Sequence, residues 1–119
     1  MSKIEKNNIS IIIPTYRAEK YIVEVLNAIN SQTIKPLEIL IIDYKTSNKL
    51  YEIINKLKLN LNTKLIYFPN KPCPPNQRNY GAVLAKGEIL AFLDVKTIPK
   101  KTWLENYCKL LSQSKYKLI

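Results

Sequence analysis

The chain has 119 residues, 46% of them hydrophobic, so it can bury one core and is expected to form one domain. Nineteen Lys and Arg residues against nine Asp and Glu give a net charge of +10, which favours phosphates or an anionic membrane surface as partners; a solvated lysine-rich surface is the alternative. The absence of histidine excludes a Ser-His-Asp triad and a histidine metal site, and the only two glycines, Gly81 and Gly87, fit neither a G-x-G-x-x-G loop nor a P-loop.

The N-terminal residues 1–8 are polar and predict a flexible tail in front of a domain at residues 9–119. No apolar stretch reaches the roughly 20 residues that a membrane-spanning helix needs, and the first residues lack the apolar region of a signal peptide. Cys73 and Cys108 show no C-x-x-C spacing, which fits reduced thiols in a cytosolic protein. We therefore expect a cytoplasmic protein, with a peripheral position at the inner face of the membrane as a further expectation from its charge.

The first two predicted elements are a buried strand and an amphipathic helix. Residues 9–14, ISIIIP, form an apolar run rich in β-branched residues, which predicts a strand that is buried on both faces and ends at Pro14. The apolar residues that follow recur at helical spacing and predict a helix over residues 18–31. Glu19 lies off its apolar stripe.

A second strand and helix repeat this order. The apolar run at residues 37–42, LEILII, predicts a strand with Asp43 directly after it. A second amphipathic helix follows, capped by Ser47 or Asn48, and its apolar face is formed by Leu50, Ile53, Ile54 and Leu57.

The third strand is predicted at residues 63–68, and the proline-dense segment after it is a loop. Pro75 suits the first turn of a helix that runs to about Lys86, where Gly87 is expected to supply the C-terminal stop. Gly81 inside this helix costs about 1 kcal/mol against alanine, so it is expected to permit close packing of the helix on the sheet.

A fourth strand is predicted at residues 88–93 and a last helix around Trp103 to Leu111. Residues 115–119, KYKLI, resemble the beginning of another strand, so we expect the sequence to be the front part of a longer, truncated architecture. Strands that are apolar throughout and alternate with helices predict an α/β fold with a mostly parallel sheet.

The residues after the strands are the candidate site. Asp43 and Asp94 each follow an apolar strand, and ligands of parallel sheets bind beyond the carboxyl ends of the strands. Thr15 and Tyr16 follow the first strand, and Arg78 lies near the start of the third helix, where an anion is favoured. An aromatic ring, two acids and a cation on one edge suit a nucleoside diphosphate, whereas a turn, a helix cap and solvated cations are the structural alternatives.

The ordered set of motifs resembles the family 2 glycosyltransferases of GT-A fold. The resemblance rests on residues 9–48, ISIIIPTYRAEKYIVEVLNAINSQTIKPLEILIIDYKTSN, and on residues 76–97, NQRNYGAVLAKGEILAFLDVKT. It implies a three-layer α/β/α, Rossmann-like domain that binds a nucleotide-diphospho-sugar, most often a UDP-sugar, for transfer to a glycan or lipid-linked acceptor. In such enzymes Mg²⁺ or Mn²⁺ usually bridges the diphosphate and the acids of a D-x-D motif.

The resemblance implies roles for individual residues. Asp43 would hydrogen-bond the uracil or ribose, Arg78 would lie against the base or phosphate, and Asp94 would be the first acid of D-x-D and a metal ligand. The residues that would border the nucleoside are Pro14, Thr15, Tyr16 and Glu19.

The sequence departs from the family pattern at the metal position. D-x-D is written Asp94-Val95-Lys96, so an ammonium stands where the second acid is expected and would substitute for the metal's charge. After Asp94 the only acid is Glu105, so no general base is apparent and the acceptor half, with that base, would come from a missing C-terminal region or a partner chain.

Three hypotheses follow. The chain is a glycosyltransferase or part of one, a catalytically inactive remnant that keeps the donor-binding layer, or a basic membrane-surface or interaction module. Nucleic acid is not an expected partner, because the aromatic-rich motifs that bind single strands are absent.

Overall fold

A computed structural model describes residues 8–113; the predicted tail, apart from Asn8, and the predicted strand at residues 115–119 lie outside the described residues. The elements in chain order are β1 (Ile9–Tyr16), α1 (Ile22–Asn30), β2 (Glu38–Tyr44), α2 (Lys49–Leu57), β3 (Thr63–Tyr67), α3 (Pro74–Leu84), β4 (Ile89–Phe92) and α4 (Trp103–Gln113). The four strands form one parallel sheet in the order β3-β2-β1-β4, which confirms the predicted α/β class.

The two faces of the sheet carry separate apolar layers. Alternate β1 residues Ile9, Ile11 and Ile13 pack with the apolar faces of α1, α2 and α4, whereas Ile12 packs on the other face with residues of α3. The chain therefore folds as three layers, helix, sheet and helix, as expected. Helix α1 alone fully buries Ile22 and three further side chains, each contributing roughly 1.5–3 kcal/mol by leaving water.

Strand β1 continues past Pro14, so the prediction that it ends there was wrong. Pro14 pairs in register with Ile42 and the strand reaches Tyr16. The Ile12 carbonyl accepts a hydrogen bond from the Leu93 N–H, so this side of β1, which Pro14 shares by alternation, faces β4. Because β4 ends at Phe92, no β4 residue pairs with Pro14. The missing N–H of the proline therefore breaks no hydrogen bond between β1 and β4.

The glycines of the α3 region differ in role. An added Cβ on Gly81 would lie 2.7 Å from Ile12 Cγ2 and 3.0 Å from Ile42 Cγ1, which confirms that this glycine permits close helix–sheet packing. Gly87 does not end α3 as predicted, because the helix stops at Leu84 with Ala85 extended (φ −68°, ψ 141°). An added Cβ on Gly87 would lie 2.7 Å from Ser10 Oγ, so close approach to β1 explains this residue.

Helix starts also differ from prediction. α1 begins at Ile22, four residues later than expected, because the Ala18 carbonyl first closes a turn by accepting the N–H groups of Tyr21 and Ile22. At α2, Asn48 occupies the N-cap but makes no capping hydrogen bond with its side chain, and Ser47 Oγ accepts from the Lys49 N–H at 3.2 Å.

A buried polar cluster fixes the amino edge of the sheet. Ser10 Oγ and the Lys86 N–H both donate to Glu38 Oε2 at 2.7 Å, and the Gly87 N–H donates to Ser10 Oγ at 2.8 Å. Lys64 Nζ lies 3.7 Å from Glu38 Oε1. Burial by itself raises the pKa of Glu38, but these hydrogen bonds and the charges of Lys64 and Lys86 outweigh it and hold the pKa below its usual value.

Candidate functional site

The carboxyl ends of β1 and β2 are joined by a buried hydroxyl–carboxylate pair. Thr15 and Asp43 are register partners, and Thr15 Oγ1 donates to Asp43 Oδ1 at 2.7 Å, with both residues only 3% exposed. Asp43 lies inside β2, which extends to Tyr44, and not directly after the strand as predicted. Burial raises the pKa of Asp43, the Thr15 hydrogen bond lowers it, and the charge of Glu19 raises it again, leaving it above its usual value.

Gln77, which the sequence analysis did not select, ties α3 to this edge. Its Nε2 donates to the Thr15 and Ile42 carbonyls at 2.9 and 2.8 Å, and its Oε1 accepts from the Cys73 N–H at 2.9 Å. The available signal was a polar residue in the first turn of a helix, which is ordinarily solvent-facing. Gln77 therefore fixes the first turn of α3 against the ends of β1 and β2, and the following residue, Arg78, is half-buried.

Beyond the strand ends lies an open cleft of about 610 Å³. It is bounded by the β1–α1 loop, the start of α2 and the segment after β4, and its lining residues are Tyr16, Arg17, Ala18, Glu19, Lys20, Tyr21, Thr46, Ser47, Lys49, Val95 and Lys96. The cleft brings together three of the predicted site residues: Tyr16, Glu19 and Lys96. The others are not among its lining residues: Pro14, Thr15, Asp43, Arg78 and Asp94.

Two cations of the cleft lie over tyrosine rings. The Arg17 guanidinium carbon is 5.2 Å from the Tyr16 ring centroid, and Tyr16 also makes an edge contact with Tyr44 at 5.8 Å between centroids. Lys96 Nζ is 5.4 Å from the Tyr21 ring centroid. These contacts orient positive charge at two borders of the cleft.

Asp94 has a local role in the turn after β4. Its Oδ1 accepts from the Lys96 N–H and its carbonyl accepts from the Thr97 N–H, both at 2.9 Å. The side chain is exposed. The aspartate therefore sets the direction of the segment that brings Val95 and Lys96 to the cleft.

The donor atoms around Asp94 do not fit a divalent cation. Mg²⁺ is held by carboxylates and other oxygens, yet the next polar side chain along the motif is the Lys96 ammonium. Within residues 8–113 no three His, Cys, Asp or Glu side chains gather as metal ligands would.

A second cleft, of about 500 Å³, lies between α2 and the edge strand β3 and contains none of the predicted site residues. It is lined by Asn48, Tyr51, Glu52, Leu65 and Tyr67. Among the described helices, none is both long and apolar enough to cross a membrane.

The parallel sheet, with its polar cleft beyond the strand ends, has the architecture in which α/β proteins generally bind their ligands. A model of the family described as Glycosyl transferase family 2 matches residues 10–119, and the chain belongs to that family. The resemblance described from the motifs is thereby confirmed.

Two relatives and one structure illustrate the similarity. The chain is 29% identical over 107 residues to the poly(ribitol-phosphate) beta-N-acetylglucosaminyltransferase TarS of Staphylococcus aureus, covering 87% of this chain and 19% of TarS. It is 35% identical over 88 residues to the UDP-Glc:alpha-D-GlcNAc-diphosphoundecaprenol beta-1,3-glucosyltransferase WfaP of Escherichia coli, covering 72% of this chain and 34% of WfaP. The crystal structure of S. aureus TarS 1-349 in complex with UDP-GlcNAc matches with a TM-score of 0.78 at 28% identity, over 89% of this chain and 31% of that one.

Proposed function

We propose that the chain is the donor-binding half of a glycosyltransferase and binds a uridine diphosphate sugar in the cleft beyond β1 and β2. The observation that carries the proposal is the cleft itself, in which an aromatic ring, cations and an acid meet at the carboxyl edge of a parallel sheet. TarS, which the chain resembles over 89% of its length, was solved with UDP-GlcNAc, and the name of WfaP specifies UDP-Glc as its donor.

The nucleoside would lie beside Tyr16 and above the Thr15–Asp43 pair. Tyr16 is 47% exposed, so its ring offers a surface on which a base can pack. Asp43 Oδ1 already accepts from Thr15, which leaves Oδ2 to accept from a uracil N–H or a ribose hydroxyl. Glu19 stands nearby at the cleft wall and would take a second ribose hydroxyl.

The acceptor half is proposed to lie outside the described residues, in a further segment or a partner chain. The chain spans only 19% and 34% of the lengths of the two relatives. Glu105, the one acid after Asp94, accepts from Thr33 Oγ1 at 2.7 Å and pairs with Lys109 at 3.2 Å, so it serves to hold α4. A glycan or lipid-linked acceptor at the cytoplasmic face of a membrane is consistent with the +10 charge.

Isothermal calorimetry of the 119-residue chain with UDP, GDP and uridine tests the nucleoside assignment. We expect UDP to bind more tightly than GDP, and Asp43→Asn to weaken UDP by about tenfold, because a charge-assisted hydrogen bond becomes a neutral one. Tyr16→Ala should also weaken UDP, whereas Tyr51→Ala, in the second cleft, should leave its affinity unchanged. Equal affinity for UDP in the parent, Tyr16→Ala and Asp43→Asn proteins would refute the assignment.

Sugar transfer is a separate measurement. Release of UDP from UDP-sugar, followed with and without added glycan acceptor, distinguishes an active transferase from a chain that only binds the donor. Binding without release in either condition would support the donor-binding half alone.

A further inference from the structure

The cleft carries more positive charge than its own carboxylates balance. Arg17, Lys20, Lys49 and Lys96 line it, against Glu19 as the one acid among the lining residues. Within residues 8–113 none of these four cations forms an ion pair with a carboxylate, since the pairs present involve Lys64 and Lys109. Four like charges around one opening repel one another, and a bound polyanion would relieve that repulsion.

The four cations come from three separate segments that the sheet brings together. Arg17 and Lys20 lie in the β1–α1 loop, Lys49 is the first residue of α2, and Lys96 follows β4. The cleft also borders the amino ends of α1 and α2, where the helix dipoles add partial positive charge. An anion in the cleft would therefore be approached by positive charge from several sides.

The backbone at Arg17 is also held in an unusual conformation. Its φ is 52°, a left-handed value that side-chain-bearing residues seldom adopt. Its guanidinium lies over Tyr16, at the border where the nucleoside is proposed to pack. Arg17 therefore occupies a position whose backbone conformation glycine would adopt without strain.

We infer that the diphosphate of the donor is bound through Arg17, Lys20, Lys49 and Lys96 without a divalent metal ion. This inference rests on the proposed function, since the diphosphate is that of the nucleotide sugar. Guanidinium and ammonium groups neutralise phosphate oxygens through charge-assisted hydrogen bonds, which is the role that a metal ion would otherwise fill. The Asp94-Val95-Lys96 segment has a single carboxylate, so its side chains favour binding of the diphosphate by cations over binding through a metal ion.

Calorimetry with inorganic pyrophosphate and with UDP, each in EDTA and in Mn²⁺, tests the inference. We expect both ligands to bind at least as tightly in EDTA as in Mn²⁺, because Mn²⁺ complexes their phosphates in solution and competes with the protein's cations. Both affinities should fall at least several-fold between low and high salt, because exposed charges are screened. Lys96→Ala should weaken pyrophosphate by about tenfold. The matched control is Lys56→Ala, an exposed lysine in the last turn of α2, which should change neither affinity.

A second variant separates loss of charge from loss of fold. Arg17→Gly removes the guanidinium while supplying the residue best suited to a φ of 52°, so its unfolding midpoint should not fall below that of the parent. Its pyrophosphate affinity should nevertheless drop by about tenfold.

The outcomes distinguish the two proposals. Binding of UDP that appears only with Mn²⁺, no binding of pyrophosphate in EDTA, or full affinity in Lys96→Ala and Arg17→Gly would each overturn the metal-free inference. Pyrophosphate binding in EDTA, with equal UDP affinity in the parent, Tyr16→Ala and Asp43→Asn proteins, would support the cationic site and refute the uridine nucleotide assignment.

Discussion

The substitution Gly81→Ala, which adds one methyl group, should lower the free energy of unfolding. In a helix interior, Gly→Ala ordinarily stabilises by about 1 kcal/mol. At Gly81 the new Cβ would sit 2.7 Å from Ile12 Cγ2, about 1 Å closer than carbon atoms normally approach. Ile12 is fully buried in a central strand and is β-branched, so its methyl group cannot rotate away.

The overlap should outweigh the helix propensity. Inserting a methyl group into a packed core costs about 1–3 kcal/mol, and the rigid neighbour places Gly81→Ala in the upper part of that range. After subtraction of the propensity gain, we expect a net loss of about 1–2 kcal/mol in the free energy of unfolding, measured by urea denaturation with circular dichroism.

Matched variants isolate the two terms. Asn79 is exposed two residues earlier in α3, so Asn79→Ala should be more stable than Asn79→Gly by about 1 kcal/mol, the propensity alone. Gly81→Ala should cost less in an Ile12→Ala background than in the parent, because the smaller residue makes room for the Cβ. A Gly81→Ala protein that is more stable than the parent would show that the sheet yields to the helix and that the reasoning is wrong.

The two buried carboxyl groups should give opposite pH dependences of stability. Glu38 has a pKa held below its usual 4.5, so its stabilisation is present above about pH 4.5 and is lost as the pH falls through the folded-state pKa; Glu38→Gln should lower stability at pH 7 by about 1–2 kcal/mol and flatten this acid limb. Asp43 has a pKa raised above its usual 3.8, so its ionisation removes stability as the pH rises from about 3.8 through the folded-state pKa; Asp43→Asn should abolish that decline and be at least as stable as the parent at pH 7. Free energies of unfolding of the parent and of both variants, measured at several pH values, check the two predictions. The assignments would be contradicted if the two substitutions changed the pH dependence of stability in the same direction.

Periodicity was sufficient to predict the elements and the sheet class, because four apolar runs alternate with amphipathic segments. It failed where a local rule was overridden by a neighbour. Pro14 stays in β1 only because β4 has already ended beside it, and no pattern within residues 9–14 records where another strand stops. Gly87 looked like a helix stop, whereas its reason lies across the sheet at Ser10.

The sequence predicted the sheet edge at which the candidate site lies better than it predicted the residues that line the cleft. The rule that ligands bind beyond parallel strands points to the β1 and β2 ends, where Tyr16, Glu19 and Lys96 line one cleft, and the binding roles of these residues stay a prediction. Lys20 and Lys49 could not be selected from a sequence so rich in lysine, because only the fold separates these cations from the solvated ones. Gln77 was missed because its buried partners are backbone carbonyls, which the sequence does not identify.

The side chains of the cleft differ from those beneath it in what they contribute to folding. Arg17, Lys20, Lys49 and Lys96 are exposed, and exposed substitutions usually change stability by about 0.5 kcal/mol or less. Thr15, by contrast, is held by Asp43 within the buried edge of the sheet. Substitutions at these four cations could therefore accumulate at little risk to the fold, whereas Ala18 and Val95, which also line the cleft, belong to the core. A scaffold divided in this way can acquire new specificities while its core remains constant.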